Sequence, residues 1–158
     1  MDIIGSKDKE CTCTPQQITK YMGRISGPLL DRIDIHIEVT PVKYEKLESD
    51  IKPESSEKIK ERVNMARKIQ LERYKNNKIF SNSELTPKLI EKYCKLDENG
   101  KRLLENAFKK LGLSARAYGR ILKVSRTIAD LTGEENISSN HIAEAIQYRN
   151  LDRKYWGK

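Results

Sequence analysis

Arg116, Arg120 and Lys123 recur at i, i+4 and i+7. On an α-helix that spacing draws a cationic line roughly 100° around the axis from Ala117, Ile121, Val124 and Ile128, so the cations border the core. At the N-terminal end of such a helix, Arg116 has the positive end of the helix dipole beside it. An anion there meets two favourable terms. The alternative is a solvated basic face. Arg24 and Arg32 flank the stretch ISGPLLD, and Arg32 stands directly before an alternating run, where side chains project from a sheet edge. A guanidinium fixed at such a corner can reach across a subunit boundary to the developing charge of a transferring phosphoryl group. The alternative for Arg32 is an ion pair with Asp31 or Asp34. Cys11 and Cys13 are two thiols at a spacing that makes half of a zinc site, with Cys94 distant; inert thiols are the simpler reading. His36 and His141 have no third ligand at a recognisable spacing and suit solvent-facing or capping roles. Trp156 and Tyr155 follow Arg149 and Arg153, where the indole either stacks on a base or pins the tail, and the tail pin is preferred.

The elements that must position these residues are read from caps and periods. Thr14-Pro15-Gln16-Gln17 supplies an N-cap hydroxyl, a proline in the first turn and a Gln three residues after the cap, which predicts a short helix to about Met22. Ile33, Ile35, Ile37 and Val39 then alternate with Asp34, His36 and Glu38, the pattern of a half-buried strand ending at Thr40-Pro41. One strand cannot satisfy its own backbone, so its sheet is expected in sequence outside this chain. From about Ser55 to Lys75, Ile59, Val63, Ala66 and Gln70 share one face of a long amphipathic helix. Thr86-Pro87 opens a helix with Leu89, Ile90 and Tyr93 inward, and Asp97 to Leu111 forms another. Gly112-Leu113 fits a left-handed cap. The clearest pattern runs from Ser114 to about Thr132, with Ala117, Ile121, Val124, Ile128 and Leu131 on one stripe and Gly133 closing it. A last helix spans Ser138 to Tyr148, with Ile142, Ala145 and Ile146 inward.

The chain has 158 residues, enough for one ordinary domain or a small domain with an appended segment. Apolar residues at 37% and charged residues at 34% favour a small globule with solvated helix faces over a large enzyme with a deep cleft. A net charge of +8 favours polyanionic partners: nucleic acid, nucleotide phosphates or an acidic protein face. Three cysteines are too few for a secreted disulfide scaffold. With no signal-like or membrane-spanning run, the expected location is the cytoplasm and no membrane partner is expected.

Together, CTCTPQQITKYMGRISGPLLDRIDIHIEV and LSARAYGRILKVSRTIADL resemble the C-terminal part of the magnesium-chelatase-like AAA+ ATPases of ComM/YifB type. The resemblance covers nearly the whole chain and is most specific over 11–40 and 113–149. It implies a relative of magnesium chelatase subunits and MCM helicases that binds ATP between neighbours in a ring, a hexamer, with DNA branch migration during natural transformation as the associated process. It implies Arg32 as the arginine finger acting in trans, with Arg24 a second candidate, and Arg116 as the sensor-2 arginine of the helical lid acting in cis. Arg120 would join Arg116 in binding the nucleotide. ATP and Mg²⁺ would be cofactors of the intact parent, with none held tightly by this part. The family often carries a further Cys-Pro-Cys upstream, absent here, which would complete four zinc ligands with Cys11 and Cys13.

The expected fold is therefore mainly α: a helical lid of four to five helices over 54–158, preceded at 1–50 by the incomplete edge of an α/β AAA+ core containing one strand. No GxxxxGK[ST] loop occurs, nor an apolar strand ending in paired acidic residues, so hydrolysis by this chain alone is not expected. Its partners would be the rest of its own core, neighbouring subunits and DNA. The reading from another class is a stand-alone basic helical DNA-binding module, whose Ser114 helix enters a groove.

Overall fold

Side-chain caps start most of the helices, and the two left-handed residues that end helices are both glycines. The computed structural model describes residues 12–39, 42 and 53–149. Among them are seven α-helices, one 3₁₀ turn and no sheet. Helix α1 (Pro15–Met22) begins in a capping box between Thr14 and Gln17. Helix α2 is the single turn Gly27–Leu30. Helix α3 (Ser56–Tyr74) is capped by Ser55, whose side chain accepts from the Lys58 amide. The 3₁₀ turn Asn82–Glu84 and α4 (Pro87–Tyr93) follow. Helix α5 (Glu98–Leu111) starts at Asp97 and ends at Gly112, with φ 53° and ψ 41°. Helix α6 (Ala115–Thr132) starts at Ser114 and ends at Gly133, with φ 74°. Helix α7 is Ser139–Gln147. No described helix is long and apolar enough to cross a membrane.

Helix α6 is the hub: α3, α4, the 3₁₀ turn and α7 all pack on it, and α5 packs on α7. Ile121, Leu122, Ile128 and Ala129 of α6 meet Tyr74, Leu85, Cys94, Leu104, Ile137, Ile142, Ala145 and Ile146 in one core. Each large aliphatic side chain buried there contributes about 1.5–3 kcal/mol. Gly100 lets α5 approach α7 closely, because a Cβ at that position would lie 2.7 Å from Ile142 Cδ1 and 2.9 Å from Asp97 Oδ1. An isolated parallel bridge, Leu96 to Ile137, joins the loops that enter α5 and α7.

Two expectations are corrected. The run 33–39 forms no strand, and its apolar side chains are exposed, from 40% at Ile33 to 83% at Val39. Alternation writes a strand only where a neighbouring strand takes up its backbone groups, and the described residues include no such strand. The apolar line of α3 is buried only in its C-terminal half. Ala66, Gln70 and Tyr74 are inside, while Ile59 and Val63 remain 43% and 44% exposed. Every residue from 53 to 65 is exposed, so the first half of α3 extends past the helices that cover the second half. Cys11, Arg153, Tyr155 and Trp156 lie outside the described residues, so the tail pin does too and the half zinc site is described at Cys13 alone.

Candidate functional site

Four contacts seat the segment 30–36 on the helical body. Leu30 is buried. The His36 amide donates to the Tyr148 carbonyl at 2.9 Å, just past α7. Arg149, 2% exposed, donates through Nη1 to the Ile33 carbonyl and lies 3.6 Å from the Asp31 carboxylate. Arg120 of α6 pairs with Asp34. Both carboxylates beside Arg32 are therefore engaged by other arginines. The Arg32 side chain is exposed and forms no ion pair with any described residue. Its ion pair with Asp31 or Asp34, the alternative left open by the sequence, is not made.

The cationic line on α6 divides into three environments. Lys123 Nζ donates to the Ser83 carbonyl at 2.7 Å and ties the 3₁₀ turn to the helix. Arg120 holds Asp34. Arg116 is exposed in the first turn, beside the N-terminus that Ser114 caps through the Ala117 amide at 3.2 Å. Since Arg120 lies one turn beyond Arg116 and Asp34 lies two residues beyond Arg32, the Arg120–Asp34 pair brings the segment of Arg32 to the cationic side of α6. Arg24 instead stacks over the Tyr21 ring at 5.9 Å, within the α1 region.

Exposed guanidiniums at a capped helix start and beside a pinned segment can donate to phosphate oxygens. Among the described residues no group of three or more His, Cys, Asp or Glu side chains could hold a metal ion. Exposed cations of this kind suit anionic groups. Cys13 is half-buried and Cys94 is buried. His141 caps α7: the Ser138 amide donates to its Nδ1 at 3.1 Å, and its Nε2 lies 3.3 Å from Thr132 Oγ1.

Sequence reading missed a buried polar cluster at the other end of α6. Asp130 accepts from Arg73 at 2.6 and 2.9 Å, Gln70 at 3.2 Å, Asn82 at 2.9 Å and Arg126 at 3.2 Å. Arg126 also donates to the Glu134 and Glu135 carbonyls, each at 2.7 Å. Burial pushes the Arg126 guanidinium below its ordinary range, against the pull of Asp130. Asn82 receives the Tyr74 hydroxyl at 2.6 Å, which closes the cluster. Its bonds run between α3, the 3₁₀ turn and α6, so it fastens the first two to the third. The only local signal was the i, i+4 spacing of Arg126 and Asp130.

Comparison with known proteins agrees with this anatomy. The family model for magnesium chelatase, subunit ChlI C-terminal, matches residues 53–149, the helical body. The model for magnesium chelatase, subunit ChlI, matches residues 2–47. Competence protein ComM of Haemophilus influenzae is 49% identical over 141 residues, which cover 89% of this chain and 27% of that protein. The protein YifB of Salmonella typhimurium is 42% identical over 142 residues, again 89% of this chain and 27% of the relative. A Mycobacterium tuberculosis protein, Rv2897c, is 27% identical over 141 residues. The chain thus spans about a quarter of the length of these relatives, as their 27–28% coverage states. With the helical body and the segment before it both matched, the chain belongs to the magnesium chelatase ChlI family and, within it, to the ComM/YifB type.

Proposed function

We propose that this chain is the C-terminal part of a ring-forming AAA+ ATPase and supplies arginines to its nucleotide site: Arg32 as the finger, Arg116 as the sensor-2 residue, with Arg120 beside it. Residues 1–50 are the incomplete edge of the ATPase core and 54–158 its helical lid. The observation that carries this reading is the arrangement around Arg32. Asp31 and Asp34 are committed to Arg149 and Arg120, so the Arg32 guanidinium is presented outward from a pinned segment. Phosphoryl transfer asks little covalent chemistry of a protein, and a fixed cation acts by lowering the energy of the charge that develops on the equatorial oxygens. Bound ATP with its Mg²⁺ would supply the transferring group and the metal. Arg116 and Arg120 would bind and orient the phosphates, and Arg32 would reach them from a neighbouring subunit. Arg24, stacked on Tyr21, is the second finger candidate. The nearness of the Arg32 segment to α6 supports a lid whose position governs turnover, coupled in the intact cytoplasmic ring, a hexamer, to remodelling or branch migration of DNA.

The test is ATP hydrolysis by the parent-length protein, with and without branched DNA. Arg32→Ala is expected to lower kcat by about 10³-fold or more while nucleotide binding persists. Arg116→Ala is expected to lower it roughly 10²-fold. Normal hydrolysis by both variants would remove the arginines from the site. Salt-steep DNA binding by the chain without nucleotide would then favour a stand-alone basic DNA-binding module.

A further inference from the structure

We propose that Arg149 is a positioning residue for Arg32. The inference rests on the finger reading and adds to it the means by which the finger is aimed.

Arg32 lies in a stretch with no ladder to hold it. Irregular exposed backbone samples many conformations, and a cation carried on it would meet a phosphate only part of the time. One buried guanidinium removes that freedom on both sides of the residue. Arg149 is 2% exposed, and its Nη1 donates to the carbonyl of Ile33, directly after Arg32. Its Nη2 lies 3.6 Å from the carboxylate of Asp31, directly before Arg32. The planar fork of arginine suits this double task, since its N–H directions are rigid relative to one another. The adjoining bond from the His36 amide to the Tyr148 carbonyl, 2.9 Å, fixes the chain further along, and the Arg32 amide itself donates to Leu29 at 2.9 Å. The backbone at 31–33 is thereby tied to the end of α7, while the Arg32 side chain stays outward. Placement matters steeply here, because a misplacement of about 1 Å in a reacting arrangement costs on the order of 10²-fold in rate.

Arg149→Lys keeps the charge but replaces the fork, whose Nη1 bonds the Ile33 carbonyl while Nη2 stays within ion-pair reach of the Asp31 carboxylate, by a single point donor. Asp31→Asn removes one arm from a side chain that is 30% exposed and leaves the buried arginine in place. In the parent-length protein, assembled as it occurs, each is expected to lower kcat for ATP about 10–100-fold with KM little changed. In an Arg32→Ala background neither should lower kcat further, an outcome that a general loss of structure would not produce. A second readout is independent of turnover. With Cys11 and Cys13 changed to Ser, nitroxides placed at the exposed positions 37 and 118 of this chain should give a narrow distance distribution that broadens in Arg149→Lys and Asp31→Asn. If Arg32→Ala itself leaves kcat unchanged, the finger reading fails whatever Arg149 does. If Arg32→Ala stops turnover while Asp31→Asn keeps both kcat and the narrow distribution, the positioning role is overturned. Should Arg149→Lys not fold, the Asp31→Asn variant decides alone.

Discussion

At the scale of single residues, Asp130 carries the largest electrostatic burden. Its side chain is wholly buried between Arg73 and Arg126, with Gln70 and Asn82 completing its acceptor sites. Removing one member of such a cluster leaves the others charged and desolvated. Asp130→Asn is therefore expected to cost about 3–5 kcal/mol, read as a lower urea midpoint with an unchanged slope. Cys94 gives a test by pH. Burial pushes its thiol from an ordinary 9.0 to about 11. In the unfolded chain it loses its proton first, so folding contributes full stability below pH 9 and loses part of it as pH rises towards about 11. Burial also raises Tyr74, which adds a decline of the same sign. Urea midpoints at pH 8 and pH 10.5 should fall less in Cys94→Ala than in the unsubstituted chain.

Among elements, α6 has two ends with different duties. Its C-terminal half is locked by the Asp130 cluster, and its N-terminal half exposes Arg116 and reaches Asp34 through Arg120. Ala117, Ile121 and Leu122 of that half are buried, so its cations ride on a packed helix. The α5–α7 crossing depends on the missing Cβ of Gly100. Gly100→Ala places a methyl 2.7 Å from Ile142 Cδ1, on a residue that is itself fully buried, and the two helices must separate to admit it. Helix propensity favours alanine by about 1 kcal/mol, so the overpacking has to exceed that gain. A net loss of about 1–2 kcal/mol in thermal or urea unfolding is expected.

For the whole molecule, the buried apolar core runs from Tyr74 to Ile146 and contains none of the described residues 12–39. Leu30, the Arg149 and Arg120 contacts and the His36–Tyr148 backbone bond help to attach the segment 12–39. A chain of residues 53–158 is thus expected to fold cooperatively on its own. It should lose only about 1–3 kcal/mol, as the surface under Leu30 is exposed and Arg149 exchanges its protein partners for water. Loss of cooperative unfolding in that shorter chain would show that the first segment is part of the folding unit.

Much of this was legible in the sequence because its causes are local. Helix starts at Thr14, Ser55, Asp97, Ser114 and Ser138 follow from side chains that meet amides about three residues on, and Gly112 and Gly133 end helices because a left-handed φ is cheap there. The family membership and most of the α6 stripe were likewise carried by order and spacing: Ala117, Ile121 and Ile128 are buried, while Val124 and Leu131 are half-buried. The partners of Asp31, Asp34 and Asp130 were not. Arg149 reaches Ile33 across 116 positions, Arg120 reaches Asp34 across 86 and Arg73 reaches Asp130 across 57. Spacing along one helix says nothing about such distances, which are set only when the helices pack. The alternation at 33–39 misled for the same reason, since a strand is a property of two chains and the pattern describes one. The sequence by itself determined which helices form and which arginines are candidates; the tertiary structure decided which carboxylates are spent on other arginines, and so that Arg32 is left without Asp31 or Asp34 as its partner.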